Sequence, residues 1–183
     1  TNAGKSTVFN QLTSARTYAA DQLFATLDTT TRKVYVEGAG QIVVSDTVGF
    51  VRDLPHQLVA AFRATLEETI HADVLFHVVD AASTVRLDQI DEVNKVLKEI
   101  AADKIHQVLI WNKIDLSGHE PAIERDEHGR IARIFVSAKT GAGMDLLREA
   151  LVELASAHKP DWQKQQEQQQ KDEWAQDPRF RGI

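Results

Sequence analysis

The chain has 183 residues, of which 43% are hydrophobic and 26% charged, the balance of an ordinary globular protein with enough length to bury a core. No apolar run approaches the roughly 18–20 residues that a bilayer span requires, and the absence of cysteine removes disulfides, thiolate metal sites and Cys nucleophiles. A net charge of −6 argues against a domain that binds nucleic acid chiefly by neutralising phosphates.

Taken in order, the chain opens on TNAGKST, Thr1 to Thr7. Gly4, Lys5 and Ser6 are the second half of the pattern G-x-x-x-x-G-K-[ST], whose first glycine falls two residues before Thr1. Val8, Phe9 and Leu12 then mark the packed side of a helix. RKVYVEG (32–38) and QIVVSD (41–46) are two strands joined by a glycine turn, which predicts an antiparallel hairpin at a sheet edge. VLFHVVD (74–80), VLIWNKID (108–115) and RIFVSAK (133–139) read as further buried strands. Leu87, Ile90, Val93, Leu97 and Ile100 step by three or four, as do Met144, Leu147, Leu151 and Leu154, so helices separate the strands. This alternation predicts an α/β fold with a mostly parallel sheet flanked by helices. After His158 the sequence turns Gln-rich and sparse in aliphatics, which predicts a helical or disordered tail over 158–183 outside the core. The seven histidines are scattered without metal-ligand spacing.

The chemistry lies at the strand ends. In a phosphate loop the backbone N–H groups cradle phosphates, the lysine reaches the β- and γ-phosphates, and the serine hydroxyl binds Mg²⁺. Those roles fall to Gly4, Lys5 and Ser6, with Asn2, Ala3 and Thr7 completing the loop. Asp46 closes a strand and Gly49 follows in D-x-x-G spacing. The carboxylate suits Mg²⁺ through water, and the glycine N–H suits a γ-phosphate sensor. NKID, Asn112 to Asp115, follows a strand directly. Asp115 can accept from guanine N1–H and N2–H₂, whereas adenine offers neither donor and would leave the carboxylate unpaired. Lys113 has an aliphatic stem to cover the base, and Asn112 can tie the segment to the phosphate loop. In SAK, Ser137 to Lys139, the Ala138 N–H can meet guanine O6. Asp80, also at a strand end, is expected simply to meet water.

These four boxes resemble those of the translation-factor-like P-loop GTPases. DQLFATLDTTTR (21–32) and DTVGFVRDLPHQLVAAFRATLEE (46–68) are similar to the switch regions of HflX-type GTPases in the Obg–HflX group. The resemblance spans residues 1–157. It implies a Ras-like fold without its first strand, an N-terminally truncated GTP-binding domain, Mg²⁺-dependent hydrolysis of GTP to GDP, and association with the large ribosomal subunit in ribosome splitting or rescue. It further implies Thr26 as the switch threonine joining Ser6 and Asp46 around Mg²⁺, with Thr29 and Thr30 as competitors. Lys5, Thr26 and Gly49 are thereby the catalytic set. Phe50 stands where many GTPases carry a water-orienting Gln, so slow intrinsic turnover is expected. Asn2 matches a loop Asn that in related GTPases helps bind K⁺ beside the phosphates. Arg52, Asp53 and His56 are expected to be exposed and partner-facing or solvated. A monomer in the cytoplasm is expected, peripheral membrane association being left open. The alternative reading is a non-hydrolysing guanine-nucleotide switch or interaction module, or a chain inactive because the phosphate loop is incomplete. The NKID box disfavours an ATP-using enzyme.

Overall fold

The computed structural model describes residues 2–13, 30–36, 40–46 and 69–157. In chain order its elements are α1 (Lys5–Leu12), β1 (Thr30–Val36), β2 (Gly40–Asp46), β3 (Val74–Asp80), α2 (Arg86–Glu99), β4 (His106–Asn112), α3 (Ile114–Ser117), β5 (Ala122–Arg125), β6 (Ile131–Phe135) and α4 (Met144–Ala157). The predicted hairpin is present. β1 and β2 pair antiparallel from Thr30↔Asp46 to Val36↔Gly40 as a two-stranded sheet. The other four strands run in the order β3-β4-β6-β5, with β3, β4 and β6 parallel. This is the mostly parallel, helix-flanked arrangement that the strand and helix patterns predict.

Strand periodicity divides the core in two. On β4, Val108 and Ile110 point to one face and are fully buried. There they meet Val8 and Leu12 of α1, Ile134 of β6, and Leu147, Leu151 and Leu154 of α4. Trp111 points to the opposite face, against Val79, Ile114 and Phe135. Each fully buried aliphatic side chain contributes about 1.5–3 kcal/mol. The sheet therefore fixes α1 and α4 on the same side, and the start of α1 comes to lie beside the strand ends.

β5 was not expected. It pairs antiparallel with β6, and the connecting turn is organised by Asp126. One carboxylate oxygen accepts from the His128 and Arg130 N–H groups at 2.9 Å each, and Gly129 sits at φ 76°. A four-residue strand with Glu124 and Arg125 exposed lacks the apolar run by which the other strands are read. The signal that could have found it is Asp126-Glu-His-Gly129 leading into Ile131, a turn with its glycine in the left-handed position.

Candidate nucleotide-binding site

The parallel register brings three strand ends level. Asp80 closes β3 opposite Asn112 at the end of β4, and Trp111 pairs with Phe135 at the end of β6. The chain beyond each strand is then cross-linked. Ala81 N–H donates to the Asn112 carbonyl at 2.8 Å, Val136 N–H to Trp111 at 2.9 Å, and Ile114 N–H to Val136 at 3.2 Å. In an open α/β sheet this carboxyl edge is where ligands bind.

Asn112, 3% exposed, is the centre of the cluster. Its Nδ2 donates to the Ala3 carbonyl at 2.9 Å, and its Oδ1 accepts from Ala138 N–H at 2.9 Å. One buried amide thus joins the TNAGKST loop to the SAK loop, the role in the phosphate loop expected from sequence plus a second tether. The Ala138 N–H expected to face guanine O6 is here donated to Asn112 Oδ1, so a base carbonyl would share that donor with Asn112. Gly4 lies against the same amide. It has φ 83°, and a Cβ there would collide with Asn112 Nδ2. The glycine is needed both for its left-handed backbone and for that close approach.

Ser137 and Asp115 form the second pair. Ser137 is fully buried, and its hydroxyl donates to Asp115 Oδ1 at 2.6 Å. Asp115 itself is exposed rather than buried, so burial of its charge would come from a base laid over it. Ser137 also accepts from Thr140 N–H at 3.2 Å, which curls the loop, and Lys139 points outward as an exposed residue. Gly143, at φ 73°, lets this loop pass β6, since a Cβ would strike the Phe135 carbonyl. The orienting role of Ser137 was not legible from SAK alone.

On the phosphate side, α1 begins at Lys5 with Gly4 as its cap, and the cap makes no side-chain hydrogen bond. The first turn carries no acidic residue, which keeps the positive end of the helix dipole suited to an anion. Lys5 Nζ forms an ion pair with Asp46, whose carboxylate is almost wholly buried at the end of β2. Ser6 Oγ donates to the other carboxylate oxygen at 3.2 Å. Lys5, Ser6 and the strand-end Asp46 therefore meet at one point. Thr7 is half-buried on α1, and Asn2 is exposed with φ 69°. Thr26, Gly49, Phe50, Thr29 and the switch residues Arg52, Asp53 and His56 lie outside the described residues, as does the Gln-rich tail.

Asp80 departs from expectation. Instead of meeting water alone, its Oδ2 accepts from Lys113 Nζ at 2.7 Å. Lys113 sits at φ 68° and reaches back across the strand ends. Its position on the sheet edge was legible, but its partner was not, because the pairing depends on the left-handed backbone of Lys113.

Residues 1–113 match the family of 50S ribosome-binding GTPases. The chain belongs to that family. Within it the similarity is to HflX proteins. The chain is 55% identical over 157 residues to the GTPase HflX of Escherichia coli (strain K12), covering 85% of this chain and 37% of the relative. It is 50% identical over 151 residues to the GTPase HflX of Magnetococcus marinus, covering 82% and 35%. The chain thus spans little more than a third of the length of these relatives. Among solved structures, a GTP-binding protein from Sulfolobus solfataricus in complex with GDP superposes with a TM-score of 0.67 at 24% identity, over 87% of this chain and 51% of that one. That likeness establishes the P-loop GTPase fold, and the HflX-type recognition rests on the sequence identity.

Proposed function

We propose that residues 1–157 are a guanine-nucleotide-binding domain that hydrolyses GTP to GDP and phosphate, with residues 158–183 as an appended segment. The observation that carries this is the Asn112 side chain bonded at once to Ala3 and Ala138, which brings base-reading and phosphate-holding residues into one edge. Asp115, oriented by Ser137, accepts the guanine donors, and the stem of Lys113 lies along the base. Phosphates fall at the N-terminus of α1, with Lys5 exchanging its pairing to Asp46 for the β- and γ-oxygens.

The donor set at Ser6 and Asp46 is hard oxygen, a hydroxyl beside a buried carboxylate, and fits Mg²⁺. Ser6 and Asp46, with Thr26 as the proposed third ligand, would hold such an ion, which would supply charge neutralisation for the phosphates. Phe50 offers no hydrogen bond to an attacking water, so intrinsic turnover is slow and the water is placed only when a partner engages the segment around Gly49. The family description and the switch sequences support the large ribosomal subunit as that partner.

One assay tests both levels: hydrolysis of GTP and of ATP by the purified chain, with and without large ribosomal subunits. GTP is expected to be turned over slowly and ATP not at all, with the subunits raising the GTP rate at least about tenfold. Equal use of ATP would refute the guanine reading. A GTP rate indifferent to the subunits would refute the coupling.

A further inference from the structure

The Asp80 carboxylate is held at both oxygens. Oδ1 accepts from Ala82 N–H at 3.0 Å, which fixes its orientation, and Oδ2 accepts from Lys113 Nζ at 2.7 Å. The same ammonium donates to the Asn2 carbonyl at 2.6 Å. Lys113 therefore spans from the guanine box to the start of the phosphate loop, with Asp80 as its counter-ion. Both ends of the span are strained. Asn2 at φ 69° and Lys113 at φ 68° occupy the left-handed region that L side chains seldom adopt. Such conformations persist where their surroundings hold them. Among the described residues only three non-glycine positions have positive φ, and this one hydrogen bond joins two of them.

The ion pair is suited to that task. Its side chains are 26% and 24% exposed, so it is screened less than a surface pair, and charge-assisted hydrogen bonds of this length are among the stronger ones. With a neutral group at position 80, the lysine would keep the Asn2 carbonyl alone against hydration of an ammonium on a flexible stem. Nothing would then favour its reaching back over the strand end.

We infer that Asp80 is a positioning residue for nucleotide retention: it holds Lys113 across the strand ends, so that the base box and the phosphate loop act as one unit. The inference rests on the guanine-nucleotide reading above and adds to it a residue outside the four boxes. Because bond breaking takes place at the γ-phosphate, away from Asp80, its loss changes how long nucleotide stays and not how fast bound GTP reacts.

The test uses the full chain as wild type, Asp80→Asn, Lys113→Met and the double variant. Asn keeps the size of the side chain and an acceptor for Ala82 N–H while removing the charge. Release of a fluorescent GDP analogue is expected to quicken about tenfold in Asp80→Asn, with kcat at saturating GTP within about twofold of wild type. In the Lys113→Met background, Asp80→Asn should add nothing, since the two residues act through one contact. Unchanged release, or effects that multiply independently, would overturn the inference. Hydrogen exchange of the nucleotide-free chain gives a second readout: Asp80→Asn should quicken exchange of the Val8 amide, which is bonded to the Gly4 carbonyl of the phosphate loop at 2.9 Å, while β4 keeps its protection. Exchange that is unaltered, or raised everywhere, also overturns it. A wild-type chain that binds no guanine nucleotide would refute the functional reading instead, and the exchange measurement would still decide the role of Asp80.

Discussion

Around Asn112 the candidate site is built from neutral hydrogen bonds of 2.9 Å between a buried amide and backbone groups on two loops. Around Asp46 it is built from an ion pair to Lys5 and a hydroxyl bond from Ser6. The difference is one of permanence. The amide has no better partner to exchange for, and leaving either backbone group unpaired in the interior costs about 1–3 kcal/mol. The charged groups are different, because a phosphate or a divalent cation is a stronger partner for each of them than they are for one another. The base side is thus a finished scaffold and the phosphate side a set of charges ready to change partners. Asp80 and Lys113 lie between the two, and their ion pair ties the exchangeable half to the fixed one.

Breaking the scaffold should have the largest effect. Asn112→Ala removes both tethers and leaves the Ala3 carbonyl and Ala138 N–H without that partner, a loss of about 2–4 kcal/mol of stability. Denaturant unfolding measures it. A loss below about 0.5 kcal/mol would show that the base side is not a preformed scaffold. On the phosphate side, Ser6→Ala removes one hydroxyl from a site already held by charge. It should leave unfolding within about 0.5 kcal/mol of wild type while weakening Mg²⁺-dependent GTP binding about tenfold. A large change in stability, with Mg²⁺ dependence untouched, would reverse the contrast between the two sides.

The smallest effect concerns the strand pair beneath both. His77 lies on β3 opposite Leu109, its Nδ1 accepting from Gln107 Nε2 at 3.0 Å, and burial lowers its pKa from 6.5 to about 4. Protonation of that nitrogen would set two donors against each other. In the unfolded chain the imidazole takes its proton near 6.5, so between that value and about 4 the unfolded state binds more protons. The stability due to neutral His77 is therefore complete above pH 6.5 and declines as pH falls toward 4. Between pH 7.5 and 5.5 wild type should lose about 1 kcal/mol more than His77→Leu does. Parallel pH profiles for the two proteins would remove His77 as the cause.

Much of this arrangement is legible in the chain. The apolar runs around Phe76, Ile110 and Ile134 name their strands, because a strand covered on both faces needs a continuous aliphatic run, whereas on β2 the half-buried Ile42 and Val44 alternate with exposed residues. The steps of Leu87 to Ile100 and of Met144 to Leu154 name two helices through their period. Gly4-Lys5-Ser6, Asp46 and Asn112 to Asp115 are legible as chemistry, because phosphate, magnesium and guanine each demand a narrow set of donors and acceptors. β5 is not legible in the same way, since Glu124 and Arg125 face outward and its pairing with β6 does not rely on a hydrophobic run.

By itself, then, the sequence named the candidate residues for a guanine nucleotide and most of the strands that carry them. Side-chain chemistry and hydrophobic period are local properties, readable without coordinates. Only the tertiary structure decided that Asn112 bonds to two loops, that Ser137 aims the Asp115 carboxylate, and that Asp80 belongs with Lys113 and not with water. Those contacts join residues 22 to 109 positions apart. They depend on strand register, which sets Asp80 level with Asn112, and on the positive φ of Lys113, which turns its side chain back over the sheet edge.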